Sequence, residues 1–210
     1  MLLFLQLILI LIVPSVLTTV GVDVSQKVSQ EQFECLKDNG YKFIIVRIYR
    51  NSGVVDINSA VTIRNARAAG FNHVDGYLLP CLACNDPSQQ IFETIDYLKD
   101  ENVHIDRLWL DVEGEWQNDT DANIQFVQDL ILEIKNSSIK YGICTSKSQW
   151  ITITNNVSRF SFESPLWYMQ HDRDKSFNRF QSFGGWNQPL MKQFISNVKE
   201  CGVVLNKNIF

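Results

Sequence analysis

The chain has 210 residues, of which 45% are hydrophobic and 20% charged, a composition typical of globular proteins. Its formal net charge of -4, without a dense basic cluster, argues against nucleic-acid binding and against stable association with a membrane. The three histidines are widely spaced and no nucleotide-binding loop is present, so we expect neither a metal nor a cofactor.

The first twenty residues are typical of a secretory signal peptide. Residues 2–13 are apolar apart from Gln6, this run is too short to span a bilayer, and no charged residue precedes Asp23. A buried N-terminal strand or helix is the alternative. We therefore predict a signal peptide at residues 1–20 and a single domain at residues 21–210. The predicted location is extracellular, or the lysosome or gut lumen.

Two further features agree with secretion. Three acceptor sequons for N-glycosylation begin at Asn118, Asn136 and Asn156. Five cysteines in a short secreted chain predict disulfides with one thiol left over. Cys81 and Cys84 have the spacing of a redox or zinc half-site, but no second pair follows, and secretion favours a disulfide.

From residue 20 onward, short β-branched runs alternate with amphipathic segments. The predicted strands span residues 20–24, 43–49, 73–79, 107–112, 140–145, 166–170, 191–195 and 202–205. The predicted helices span residues 29–39, 57–69, 87–100, 121–135 and 146–153. This order favours an irregular, TIM-like α/β barrel of eight strands and about five helices, whose last three strands lack helices. A doubly wound open sheet is the alternative.

Two acids lie at the end of the strongly apolar fourth strand. Because side chains alternate along a strand, Asp111 and Glu113 point to the same side, with backbone positions about 6.6 Å apart. In a barrel, that side can be the mouth at the carboxyl ends of the strands, where barrel enzymes keep their sites. Two acids in a partly apolar cleft do not both ionise easily, so one can hold a proton near neutral pH. Alternatively, Asp111 caps the following turn and Glu113 is solvated.

Other strands carry residues suited to a site. Asp23 interrupts the apolar first strand, where a buried acid needs a partner or a function; the alternative is an acid that binds backbone amides in a turn. Aromatic faces stack on sugar rings, and phenol or amide groups bind hydroxyls. The candidate sugar-binding residues, each with the core as its alternative, are Tyr49, Tyr77, Trp167 and Gln193.

These segments resemble the glycoside hydrolase family 25 lysozymes, in particular their small secreted animal branch. The matching motifs are Gly-Val-Asp-Val-Ser at 21–25, Asn-Ala-Arg-Ala-Ala-Gly at 65–70, Pro-Cys-x-x-Cys at 80–84, Trp-Leu-Asp-Val-Glu-Gly at 109–114, Thr-Ser-x-Ser-Gln-Trp at 145–150, Pro-Leu-Trp-Tyr at 165–168 and Phe-Gly-Gly-Trp-Asn at 183–187. The resemblance implies a barrel of eight strands and five helices. It also implies hydrolysis of the β-1,4 bond from N-acetylmuramic acid to N-acetylglucosamine in peptidoglycan, and we expect a monomer with an antibacterial or digestive role.

Carried over by position, the resemblance makes Glu113 the general acid that protonates the leaving sugar oxygen. It makes Asp111 the group that orients the substrate's own 2-acetamido group for attack on the anomeric carbon, a substrate-assisted route. Activation of water by a carboxylate is the alternative. Asp23 is then a further acid that lines the cleft, tunes Glu113 and contacts substrate.

Two residues depart from the family pattern. The family usually ends its last strand with Asp, where this chain has Asn206. We count Asn206 among the substrate-binding candidates, but one contribution to a raised pKa of Glu113 is missing. The family commonly has Tyr before the Thr-Ser at 145–146, where this chain has Cys144, which removes a ring from an expected sugar contact. A catalytically silent wall-binding protein and a glycosidase of another N-acetylated polymer, such as chitin, are the alternatives.

Four cysteines besides Cys144 remain to be paired. Pairing Cys81 with Cys84 leaves Cys35 with Cys201, on the predicted first helix and beside the predicted last strand, which are neighbours in a closed barrel. Four cysteines allow three pairings, and the sequence alone does not choose among them.

Overall fold

The computed structural model describes residues 18–84 and 86–210, so most of the predicted signal peptide lies outside the described residues. The strands are β1 (Val20–Val24), β2 (Phe43–Arg50), β3 (Val54–Val55), β4 (His73–Leu78), β5 (Leu108–Asp111), β6 (Tyr141–Thr145), β7 (Leu166–Met169), β8 (Met191–Glu200) and β9 (Val203–Ile209). The helices are α1 (Gln30–Asp38), α2 (Ser59–Ala68), α3 (Pro87–Asp100), α4 (Thr120–Asn136) and α5 (Lys147–Thr154). Within these residues, no helix has the length and apolar character needed to cross a bilayer.

Eight strands form a closed barrel in the order β1, β2, β4, β5, β6, β7, β8, β9, because β1 pairs with both β2 and β9. The two-residue β3, which the sequence pattern did not predict, pairs antiparallel with the end of β2. The helices of the described residues all precede β7, so the last three strands lack helices. The predicted irregular TIM-like barrel is confirmed, and the open-sheet alternative is wrong.

Among the barrel strands, β9 runs antiparallel to both of its neighbours. β8 extends five residues beyond the predicted end and turns into β9 at Cys201 and Gly202, whose φ angles are 51° and 75°. Two successive left-handed residues make the tight turn that suits the twist of a hairpin, and glycine adopts this conformation without strain. A disulfide joins Cys201 to Cys35 and so ties this turn to α1. The second disulfide joins Cys81 to Cys84.

Alternation along the strands divides the core into two parts. On β5, Leu108 and Leu110 face the helices, while Trp109 faces the barrel interior. There the Trp109 and Trp167 rings meet edge to face with centroids 5.7 Å apart. Gly142, on the neighbouring strand, leaves the space that the Trp109 ring fills. The interior is therefore packed with side chains, and a site must lie at an end of the barrel.

Residues 171–189 form a loop between β7 and β8, and the buried side chain of Lys192 binds the first part of this loop. The Nζ atom of Lys192 lies 2.8 Å from Asp172 Oδ1 and donates to the backbone carbonyls of Asp174 and Ser176, over 3.0 and 3.1 Å. These contacts use the three donors of the ammonium group. The loop following His171 is therefore fixed to β8.

The asparagines of the three sequons, Asn118, Asn136 and Asn156, are all exposed. The side-chain oxygen of Asn156 also accepts a hydrogen bond from the Gly184 amide over 2.7 Å.

Candidate active site

The end of β5 places two acids at one end of the barrel. Asp111 is buried and, like Trp109 two residues before it, points into the barrel. Glu113 follows two residues later and lies at the surface. Gly114 turns the chain directly after it with a φ of 81°. The Trp116 indole donates to the Glu113 carbonyl over 3.0 Å, which holds this turn in place.

Asp23, in the middle of β1, is buried and accepts three amide hydrogen bonds. Gln193 and Asn208 donate to its Oδ1 over 2.9 and 2.7 Å, and Asn206 donates to its Oδ2 over 2.7 Å. The donors come from β8 and β9, so the antiparallel hairpin supplies the partners of an acid 170 to 185 residues earlier in the chain. The alternative in which Asp23 binds backbone amides of a turn does not describe these contacts.

The side-chain amides of Gln193 and Asn208 connect Asp23 to further residues of the loop after β7 and of the barrel interior. Because Gln193 gives its nitrogen to Asp23, its oxygen faces His171, and the His171 Nε2 donates to it over 2.6 Å. The Asn208 oxygen accepts from the Trp167 indole over 2.8 Å. Asp23 is thus linked through one amide to the surface loop and through another to the barrel interior.

The three acids act on one another electrostatically. Burial raises the pKa of Asp111 well above its usual range, and the charges of Glu113 and Asp23 raise it further. Partial burial raises the pKa of Glu113, as does the charge of Asp23, while His171 opposes the rise. Burial also raises the pKa of Asp23, and its three amide donors oppose this change. Although Glu113 is exposed, its carboxyl therefore shares one electrostatic environment with the two buried acids.

Four of the predicted binding residues lie near this group. Gln193 and Asn206 contact Asp23 directly, as described above. Tyr77 is buried in the barrel interior, 6.1 Å from Trp167 between ring centroids. Burial raises the pKa of Tyr77 well above its usual range, and the charges of Asp23 and Asp111 add to the rise.

Tyr49 does not join this group. The register of β2 shifts between Arg47 and Tyr49, so the alternation is broken and the Tyr49 ring packs in the layer between barrel and helices. Its hydroxyl donates to Glu93 of α3 over 3.1 Å. Burial, together with the nearby Glu93 charge, raises the pKa of Tyr49 to about 12.

Two residues of the network were missed by the sequence reading. Asn208 lies beyond the predicted end of the last strand, although it has the two-residue spacing from Asn206 that puts both on one face. His171 lies in a loop that carries no periodic signal.

Cys144 is paired with Asp111 in the register of β5 and β6 and is buried in the barrel interior. Burial raises the pKa of its thiol well above the usual range, and the charges of Asp111 and Glu113 contribute. All five cysteines lie in the described residues, and Cys144 is the one outside a disulfide. Its side chain is covered by protein, so in this structure it presents no surface to a sugar.

A cleft of about 740 Å³ opens beside Glu113, large enough for a sugar-sized ligand, and neither Asp23 nor Asp111 is among its lining residues. Glu113 and Trp116 form one side of it, and Leu79, Leu82 and Gln149 are among its other lining residues.

A TIM-like barrel with interacting acids at one end, one of them exposed in a cleft, is typical of a glycoside hydrolase. Comparisons with known proteins agree. The family described as Lysozyme-like protein 1 matches residues 15–194. A Dictyostelium discoideum protein named Probable GH family 25 lysozyme 5 is 39% identical over 193 residues, which cover 90% of this chain and 89% of the relative.

Solved structures show the same fold. A family GH25 lysozyme from Aspergillus fumigatus superposes with a TM-score of 0.72 at 22% identity, covering 92% of this chain and 93% of that one. A muramidase from Acremonium alcalophilum also gives 0.72, at 19% identity, covering 90% and 92%. The chain belongs to the glycoside hydrolase family 25 lysozymes.

Proposed function

We propose that this lysozyme hydrolyses the β-1,4 bond between N-acetylmuramic acid and N-acetylglucosamine in bacterial peptidoglycan, in an antibacterial or digestive role. The observation that carries the proposal is that Glu113 lines an open cleft while Asp111, two residues before it, and Asp23 are buried in the barrel end behind it. Cleavage of a glycoside needs an acid that keeps its proton near the working pH and reaches the leaving oxygen.

Glu113 is the proposed general acid. Of the three carboxyls it alone is exposed, and it lines the cleft. Its raised pKa favours the protonated form that can donate to the leaving sugar oxygen as the glycosidic bond breaks. The resulting carboxylate can then take a proton from the water that completes hydrolysis.

Asp111 is proposed to orient the 2-acetamido group of the substrate. Its Oδ1 is buried and lacks a hydrogen-bond partner in the described structure, so the site offers an acceptor for the acetamido N–H. An acetamide held in this way can direct its oxygen to the anomeric carbon, forming a C–O bond as the bond to the leaving sugar breaks. The new bond closes a five-membered ring, and water then attacks the anomeric carbon and breaks that C–O bond, which restores the acetamido group. Direct activation of water by a carboxylate is the alternative.

Asp23 is proposed to supply negative charge near the reacting carbon and to keep the pKa of Glu113 high. The side-chain nitrogens of Gln193 and Asn206 both donate hydrogen bonds to Asp23, so we assign these two residues a positioning role toward that acid. Tyr77 and Trp167 would then shape the floor of the site from the barrel interior.

We also propose that residues 1–20 are a signal peptide and that the protein is secreted. The two disulfides support this proposal, because disulfides persist in oxidising compartments. The exposure of Asn118, Asn136 and Asn156 is compatible with glycosylation along the secretory route.

The test is hydrolysis of purified bacterial cell walls, followed by turbidity and by release of reducing ends. We expect Glu113→Gln to lower the rate at least about 100-fold, as the loss of a general acid does. Glu34→Gln, on the exposed face of α1, is the matched control and should retain the wild-type rate. Saturable wall binding without reducing ends would support the silent binder, and faster cleavage of chitin oligomers would overturn the proposed substrate.

A further inference from the structure

A second polar cluster lies at the opposite end of the barrel from the acids. It comprises His73, the first residue of β4; Asp75, two residues along the same strand; and Asp106, in the segment before β5. One side-chain ligand atom from each lies within 4.8 Å of the others. The His73 Nε2 and the Asp75 Oδ1 are 3.1 Å apart.

Each carboxylate in the cluster has one oxygen fixed by protein donors. The Oδ2 of Asp75 accepts from the Trp109 indole over 2.8 Å. The Oδ2 of Asp106 accepts from the Arg67 guanidinium and from the Val74 backbone amide, both over 2.8 Å. In metal sites such bonds to the outer oxygen set the direction of the oxygen that binds the ion.

In the part of the chain that the structure describes, the inner atoms of the cluster have no protein partner besides each other: the His73 Nε2 faces the Asp75 Oδ1 across 3.1 Å. Asp75 is fully buried, and within the described structure its Oδ1 has no hydrogen-bond partner of acceptable geometry; the same holds for the His73 Nε2. A buried carboxylate oxygen that no well-aligned hydrogen bond satisfies is costly, and a cationic ligand shared with its neighbours would stabilise it. We propose that His73, Asp75 and Asp106 bind a divalent transition-metal ion of the zinc class.

The geometry and chemistry suit such an ion. Two ligands of a tetrahedral zinc ion, at about 2.1 Å each, lie about 3.4 Å from one another, close to the 3.1 Å separation of the His73 and Asp75 atoms. One imidazole nitrogen with two carboxylate oxygens is a donor set that zinc accepts, with a fourth position left for water. His104 stands on the open side with its Nε2 3.8 Å from the Asp106 Oδ1.

Neighbouring cations do not occupy the inner atoms. Arg67 uses the outer oxygen of Asp106, and Arg107 donates to the Tyr141 carbonyl and lies 5.2 Å from the centre of the Trp109 ring. The His73 side chain is 42% exposed although its Nε2 is buried, so the ring would turn to admit an ion from solvent. The ion would join the start of β4 to the segment that leads into β5, far from the cleft, and so stabilise the fold rather than serve hydrolysis.

The experiment is equilibrium dialysis of the full chain against zinc chloride, with metal quantification, and titration calorimetry at pH 7.5. We expect one zinc ion per chain and a melting temperature that rises with zinc and returns to its starting value with chelator. Asp75→Asn and His73→Gln should each weaken zinc binding by about 100-fold or more. Asp96→Asn, on exposed α3 surface, is the control and should bind as wild type.

The result is independent of the hydrolytic function, because the readout is bound metal and stability. No stoichiometric zinc binding, or equal binding by wild type and His73→Gln, would overturn the proposal and leave His73 and Asp75 as an ion pair. His73→Gln changes a partly exposed side chain, so it remains a usable test should Asp75→Asn fail to fold.

Discussion

The Asn206 side-chain nitrogen donates to the Asp23 Oδ2 over 2.7 Å, and its oxygen accepts from the Asn197 amide over 2.8 Å. At the position where the family resemblance led us to expect an acid, this chain therefore offers a neutral donor to a buried carboxylate. The substitution does not leave a gap in the site. Two acids at these positions would repel each other, whereas Asn206 donates a hydrogen bond to Asp23. The negative charge near Glu113 is therefore smaller than it would be with an acid at position 206.

The first prediction concerns this exchange. Asn206→Asp adds a negative charge near Glu113, which should raise the pKa of the acid and move the basic limb of the pH–rate profile upward. We expect wall hydrolysis at the optimum to stay within about threefold of wild type, because the carboxylate keeps the contact to Asn197. The measurement is kcat/KM against pH. Asn72→Asp, exposed at the other end of the barrel, adds the same charge and should leave the profile unchanged. Loss of activity, or a downward shift, would contradict our view of the site.

The second prediction tests His171 as a positioning residue. Its charge lowers the pKa of both Glu113 and Asp23, and its ring holds the Gln193 oxygen. The general acid works in its protonated form, so activity falls as pH rises through the pKa of Glu113. His171→Gln removes the charge that opposes the rise, so the pKa of Glu113 increases and the basic limb moves to higher pH. His104→Gln, assayed with chelator, is the control. A basic limb of the pH–rate profile that moves to lower pH would show that His171 does not act on Glu113 in this way.

The third prediction concerns stability. Lys192→Met leaves the Asp172 carboxylate unpaired and strips two loop carbonyls of their donor, so we expect the free energy of unfolding to fall by about 3 kcal/mol. Urea unfolding measures this change, with the exposed Lys199→Met as control. Lys192 holds the pKa of Asp172 below its usual value, so the pair stabilises the fold above the unfolded pKa and less as pH falls. The variant should therefore lose less stability on acidification than wild type.

The fourth prediction compares the two disulfides. Cys35 and Cys201 are 166 residues apart, whereas Cys81 and Cys84 are three apart. Because the loss of chain entropy grows with the enclosed loop, replacing the first pair with serine should cost about 5 kcal/mol, and replacing the second about a third as much. Denaturant unfolding of the two double variants under identical conditions tests the order. A larger loss for the short pair would show that chain entropy does not govern these bonds.

Local patterns were enough for much of this protein. The alternation predicted Asp111 and Glu113 on one side of the fourth strand, although β5 ends at Asp111 and Glu113 follows it. β-branched runs and capping residues located the barrel strands and the five helices of the described residues, because these signals depend on neighbouring residues in one helical turn or along one strand. Where an alternation breaks, the same reasoning fails: the register shift after Arg47 turned Tyr49 toward the helices.

Only the tertiary structure decided which distant residues meet. The reversal of β9 brought Asn206 and Asn208 to Asp23, and the parallel pairing of β4 and β5 brought Asp106 beside His73 and Asp75. Neither contact has a sequence signal, because strand pairing depends on burial and hydrogen bonding across the whole sheet, whereas periodicity reports only which face of its own element a residue occupies.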